Sequence, residues 1–298
     1  MTKRRGLRRG LAAAILTAGL TVGSCAAPPS YDGAAMFFNP ASAARSKTAD
    51  SYSSFLVARY ASLSNDPQVA ARGYAFAAET APQDATLLER AVFSALLAGK
   101  VNNAAALANT APGEVSSQSS LARLVIAVDA LRDDDAGRAS AWLRSGPKAG
   151  FNGVVGNGLA AWAAYEADGA GAALKLLDQA RSQDPLLDVL GVFNRGFILM
   201  AAGRDDAALA AFEQGWTSGV SLAVAADAYA RLLAAQGRRE DAIDLLRRFR
   251  TAAGANPGLD LLRRELEAGL PVVVRRPSAM EGAALAIYAP AAALTART

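Results

Sequence analysis

The chain has no histidine, one cysteine among 298 residues, and aromatic side chains at only 7% of positions. Without histidine there is no Ser-His-Asp or Cys-His nucleophile pair and no imidazole metal ligand. A single cysteine, Cys25, has no partner for a disulfide within the chain. A carboxylate pair could still act as acid and base, but most Asp and Glu fall in expected turns or on exposed helix faces. Asp133, Asp134 and Asp135 look like a metal cluster but read better as a turn, a setting Asp favours. The glycines of Gly153-Val154-Val155-Gly156-Asn157-Gly158 are in the wrong order for a dinucleotide loop, and no Lys-Ser or Lys-Thr follows to make a phosphate loop. The segment reads as the flexible start of a helix pair. No catalytic residue, metal or cofactor is expected.

An excess of one charge is also missing, although the isoelectric point of 9.4 suggests one. The chain holds 31 basic and 27 acidic residues, and five of the basic ones (Lys3, Arg4, Arg5, Arg8 and Arg9) precede Cys25 with no acid among them. Removing them leaves 26 basic against 27 acidic side chains, net −1. Nucleic acid is therefore not an expected partner, because phosphate binding needs a dense positive footprint. One local asymmetry remains. Ten arginines lie between Arg231 and Arg276, including Arg238, Arg239, Arg247, Arg248 and Arg250, with six acids among them. They form either a docking patch for an acidic partner or phosphate group, or a solvated helix face paired locally with Glu240, Asp241 and Asp244.

What the chain does have is a period. Ala70, Ala104, Ala139, Ala173, Ala208 and Ala242 recur at 34 or 35 residues. Four residues after each stands Tyr74, Ala108, Leu143, Leu177, Phe212 or Leu246, one helical turn along the same face. Twelve before each stands Ala58, Val92, Ala127, Ala161, Gly196 or Ala230, and nine before, Ala61, Ala95, Ala130, Ala164, Leu199 or Leu233. These small residues mark a preceding helix whose partner can come close. Turn signals separate the two helices: Asn65-Asp66-Pro67, Gly99-Lys100, Asp133-Asp134-Asp135, Asp168-Gly169, Gly203-Arg204 and Gly237-Arg238. A period of this length predicts stacked helix pairs, about six of them, from about Tyr52 to Ala253.

The pattern resembles the tetratricopeptide repeat (TPR): a small residue in the first helix, Ala-x-x-x-Phe in the second as at Ala208 to Phe212, and a later Pro as at Pro82 and Pro185. The early aromatic of that family is replaced by Ser54, Leu88, Arg123, Asn157, Val192 and Ala226, and several repeats lack the Pro. The resemblance covers about two thirds of the chain and implies an all-α, right-handed α-solenoid whose first helices line a concave binding face. Carried onto this sequence, that face takes Phe55, Arg59, Glu89, Phe93, Val128, Arg132, Trp162, Tyr165, Glu166, Phe193, Phe197, Met200, Asp227 and Arg231. An aromatic groove with a few charges suits a peptide. The alternative is that these aromatics pack between repeats or against the chain's own ends.

The first residues follow another pattern. The basic segment leads into an apolar run from Leu11 to Val22, too short to span a bilayer but suited to a signal peptide. Val22-Gly23-Ser24-Cys25 resembles a bacterial lipobox. That resemblance implies cleavage before Cys25, a diacylglycerol on its sulfur and acylation of its new amine. A conventional signal peptide cleaved near Ala26-Ala27 is the other reading. Ala26 in place of an Asp implies, by the same resemblance, the outer membrane, periplasmic side. Ala27 to roughly Thr48 reads as a flexible tether.

Residues 1–24 are thus expected to be a lipoprotein signal peptide, 25–50 a lipid-anchored tether, 51–254 the repeats, and 255–298 an irregular segment ending in an incomplete helix pair. In that last part a short helix is expected from Leu259 to Ala268. A strand or extended linker follows at Val272–Val274, and then a first helix from Glu281 to Tyr288 that Pro290 breaks or bends. Apolar surface left exposed there predicts self-association. The function expected is a non-catalytic, lipid-anchored periplasmic TPR adaptor for proteins or peptides of the cell envelope. The alternative is an assembly or export factor for surface polysaccharide or outer-membrane proteins.

Overall fold

The structure is a computed structural model and describes residues 40–146, 150–180 and 185–295. The chain divides into residues 1–45 and 46–298, and the architecture described below is that of the second unit, whose first helix begins within the first. Every regular element among the described residues is a helix. Six hairpins follow one another: α1 (Pro40–Leu63) with α2 (Pro67–Thr80), α3 (Ala85–Leu97) with α4 (Val101–Thr110), and, after a short α5 (Gly113–Gln118), α6 (Ser120–Arg132) with α7 (Ala136–Arg144). Then come α8 (Gly150–Asp168) with α9 (Ala170–Gln179), α10 (Pro185–Ala201) with α11 (Asp205–Thr217), and α12 (Ala223–Ala235) with α13 (Arg239–Ala253). The chain continues through α14 (Pro257–Glu267) and α15 (Ala279–Thr295).

The alanine series is the inside of these hairpins. Ala70, Ala104, Ala139, Ala173, Ala208 and Ala242 are all buried, as are Ala58, Val92, Ala127, Ala161 and Ala230 twelve residues before. The turns repeat too. Asn65, Gly99, Asp134, Gly203 and Gly237, each five residues before its alanine, have φ between +57° and +81°. That left-handed conformation closes the first helix, and Gly, Asn and Asp are the residues that tolerate it. Aspartates then start several helices. Val69 N–H donates to Asp66 at 3.1 Å, Thr86 N–H to Asp84 at 2.8 Å and Arg138 N–H to Asp135 at 2.9 Å, so the Asp133–Asp135 run is a turn and cap.

Four elements depart from the expectation, the first being α1, which begins at Pro40 and so makes residues 40–50 of the expected flexible tether helical. The Gly153–Gly158 segment is helical, part of α8, and at Gly158 the missing side chain leaves room for Ala286 of α15. Helix α5 is an insertion held by its buried Ser116, whose hydroxyl donates to the Ala108 carbonyl at 2.9 Å. The C-terminus differs most. Helix α14 packs on α12 and α13, burying Leu259, Leu262 and Leu266. Residues 271–278 are non-helical without forming a strand, and α15 runs through Pro290 to Thr295. It does not stack as the next pair after α14. It lies against α8, α10 and α6.

Candidate binding face

One repeat position follows the first-helix face along the chain. Eleven residues before each alanine stand Arg59, Phe93, Val128, Trp162, Phe197 and Arg231. Arg59 is exposed and Phe93 is 53% exposed, whereas Trp162 is 0% exposed and Phe197 is buried. The difference is α15. It covers the first helices of the third, fourth and fifth pairs, whereas α3 of the second pair keeps Phe93 and Leu97 exposed and α1 of the first keeps Leu56 and Leu63 exposed.

The covering helix fits because its inner face is nearly bare backbone. A Cβ added at Gly282 would lie 2.1 Å from Cε2 of Trp162, and one added at Gly158 would lie 2.7 Å from the Ala286 Cβ. Glycine at both crossings lets α15 and α8 approach closely. Beneath them the Trp162 indole N–H donates to Asn194 Oδ1 at 3.1 Å, and the Asn194 amide donates to the Leu190 carbonyl at 3.1 Å. Both buried polar side chains are therefore satisfied. Tyr165 meets Trp162 edge-on at 5.5 Å, and Phe197 meets Phe212 edge-on at 5.2 Å. Phe193 is buried too. Trp162, Phe193 and Phe197, expected on an open groove, are interior side chains: Trp162 lies under Gly282 of α15, whereas Phe193 and Phe197 pack within their own hairpin, against Gly215 and Phe212 of α11.

The segment leading into α15 is tied down. Arg276 donates to both carboxylate oxygens of Asp205, at 2.7 and 2.9 Å, and to the Met200 carbonyl. The hydrogen bonds from Arg276, more than its charge, lower the Asp205 pKa from the usual carboxylate value. Arg231 pairs with Asp227 at 2.9 Å and reaches the Val273 carbonyl at 3.3 Å, so it braces this segment and is not an open contact. Ser278 and Glu281 form a reciprocal cap. Ser278 N–H donates to the Glu281 carboxylate at 2.8 Å, and Glu281 N–H to the Ser278 hydroxyl at 3.2 Å. The bond from the Ser278 backbone is the main reason the Glu281 pKa is lowered. A groove of about 1010 Å³ runs beside α15, with Met200, Val224, Leu261, Leu285 and Tyr288 in its walls and Arg275 at its edge.

The uncovered end is different. Phe93 and Leu97 on α3 are exposed, as are Leu56, Arg59 and Leu63 on α1. Leu63 and Leu97 share a repeat position, seven before their alanines. The family pattern put aromatic and charged residues forward and passed over these leucines, though the period itself marks them. Phe55 is half-buried edge-on to Tyr74, with the Arg90 guanidinium 5.6 Å from its ring centre. Glu89 is not part of the open surface. It accepts hydrogen bonds from Ser119, Ser120 and Leu121 at the start of α6, joining two repeats.

The arginines of α13 are largely paired. Arg238 meets Asp241 at 2.7 Å, Arg247 meets Asp244 at 3.4 Å and Glu267 at 2.9 Å, and Arg250 meets Asp260 at 3.3 Å. Hydrogen bonding to Asp241 raises the Arg238 pKa, and hydrogen bonding to Arg263 and then Arg247 lowers that of Glu267. The positive surface left over belongs mainly to Arg239 and Arg248, with half the pairs reaching from α13 to α14 and holding that helix. Among the described residues no group of three His, Cys, Asp or Glu could hold a metal, and no helix is long and apolar enough to cross a membrane. Cys25, the signal peptide and most of the tether lie outside the described residues.

No family model matches the sequence, and no curated protein resembles it. A solved structure does. The chain is similar to one in the crystal structure of the APC/C hetero-tetramer Cut9–Hcn1, with a TM-score of 0.50 and 15% identity. The match covers 72% of this chain and 42% of that one. Its subunit Cut9 is a TPR protein. The fold is TPR-like. The chain spans less than half the length of that neighbour, and at this identity the likeness concerns the fold alone.

Proposed function

We propose that this protein is a non-catalytic, lipid-anchored periplasmic scaffold that holds cell-envelope proteins on the uncovered first-helix face of its first two TPR-like pairs. The observation that carries the reading is Phe93, half exposed at the repeat position where Trp162 is sealed under α15. Beside it Leu97, Leu63 and Leu56 leave apolar side chains in water, with Arg59 and Arg90 among them. Apolar anchors rimmed by charge are the composition of a peptide- or helix-binding surface. TPR-like arrays commonly serve as such surfaces. The anchor and the outer-membrane location rest on the basic leader, the apolar run and the lipobox-like residues ending at Cys25. Several acyl chains hold a protein to a bilayer where one is marginal.

The test is photo-crosslinking in intact cells from position 93, with Phe76, exposed on α2, as the control. Envelope proteins captured from 93 and not from 76 support the reading. Glycan captured there instead favours the assembly or export of surface polysaccharide, and equal capture at both positions removes the proposed face. Cys25→Ala releases the protein from membranes if the anchor is right, and unchanged fractionation rejects the anchor.

A further inference from the structure

Helix α15 has two apolar faces. Gly282, Ala283, Ala286, Ala289 and Ala293 make the small face buried against the repeats. On the other side Met280, Ala284, Ile287, Ala291 and Leu294 succeed one another at steps of four, three, four and three. Met280, Ile287 and Leu294 are 38%, 40% and 48% exposed. Alternating steps of four and three keep side chains on one line along a helix, the seam through which two helices pair. The one charged residue between Ala279 and Thr295 is Glu281, already engaged in the cap with Ser278. A helix face turned only to water ordinarily carries charge.

The row is also symmetric. Read in either direction it runs large, small, large, small, large, centred on Ile287. Two copies crossing antiparallel on an axis through Ile287 set Met280 of one against Leu294 of the other and Ala284 against Ala291, with Ile287 meeting its own counterpart. A two-fold dimer requires this self-complementarity, since each residue meets its mate twice. The small residues in the row let the helix axes come close. Exposed Tyr288 and Leu261 extend the surface along the groove beside α15. With them the patch offers roughly 500 Å² of apolar surface, the size of a functional patch on a monomer. Two such patches together reach the ~1,000 Å² that a specific interface needs. We infer that α15 is the interface of an antiparallel two-fold dimer of this chain. The area is at the low end, so the dimer is weak, with a Kd on the order of micromolar. The inference is independent of what the uncovered pairs bind.

The test uses the full chain with Cys25→Ser, so that an introduced thiol is the only one. Ile287→Cys forms a disulfide-linked dimer with itself under mild oxidation. Met280→Cys alone does not, because an antiparallel pair holds the two copies of that position ~21 Å apart along the helix. Mixing the Met280→Cys and Leu294→Cys chains does give the linked dimer. Sedimentation equilibrium shows a monomer–dimer equilibrium that Ile287→Asp weakens at least ~10-fold, with melting unchanged because Ile287 points away from the core. A chain that stays monomeric at all concentrations overturns the proposal. So does Met280→Cys linking to itself as readily as Ile287→Cys, which means a parallel pair, or in-cell crosslinking from 287 that captures a different protein and no second copy.

Discussion

The first two helix pairs and the central three carry the same repeat, and they end in opposite states. Phe93 and Trp162 hold one position in that repeat, each a large aromatic on the same face of a first helix. Phe93 stands in water and Trp162 has none around it. Within the hairpins Trp162 has Asn194 of α10 as its hydrogen-bond partner and Tyr165 beside it. The larger part of the separation comes from α15, which lies over the central pairs and seats Gly282 on Trp162, while Phe93 on α3 stays exposed. A repeat therefore determines where a side chain points, while a distant segment determines whether it is available to a partner.

The two regions differ most at Trp162. Replacing it with Ala removes a fully buried side chain together with the partner of Asn194, and the expected loss is about 3–5 kcal/mol, read as a lower denaturation midpoint. A loss below about 1 kcal/mol would mean that α15 does not seal this site. Gly282→Ala is the sharper probe, because its sign is informative. In an open helix this change stabilises by roughly 0.5–1 kcal/mol, the outcome expected at Gly191 in α10, where an added Cβ meets nothing within 4 Å. At Gly282 the methyl meets the Trp162 ring, and overpacking reverses the sign to a loss of about 1–3 kcal/mol. Thermal melts of the two variants side by side decide it; equal gains at both positions would place α15 elsewhere. The smallest effect on stability is expected at Phe93→Ala, within about 0.5 kcal/mol. If the uncovered face is the binding surface, that variant nevertheless weakens partner capture. A large drop in its melting temperature would make Phe93 a packing residue instead.

The alanine period and the turn positions were legible because both arise within one hairpin. Ala70 and Ala58 are twelve residues apart and meet across one turn, and the left-handed residue at 65, 99, 134, 203 and 237 is required each time the chain reverses. The docking of α15 was not legible. Gly282 meets Trp162 across about 120 residues, and no period links them. The small residues Gly282 and Ala286 could be read as a packing face but not matched to a partner, and the Ser278–Glu281 capping signature was the overlooked marker of where the helix begins. The family resemblance places large aromatic residues of the first helices on a binding face. Size favours burial just as strongly, so Trp162, Phe193 and Phe197 are interior while Leu56, Leu63 and Leu97, which the family pattern does not mark, are exposed. Helix α5 was not legible because its six residues, Gly113–Gln118, hold a single large apolar side chain, Val115, and otherwise have the composition of a loop.

In an ordinary array each unit touches only its neighbours, so units can be added, deleted or frayed one at a time. The clasp between Arg276 and Asp205 and the seating of Gly282 on Trp162 end that freedom here, because they join α15 and its lead-in to the fifth and fourth pairs, past the sixth. Inserting or removing one hairpin between them would carry the clasp past its target. The length of this array is thus locked by its own tail, and its middle is bound to melt as one body.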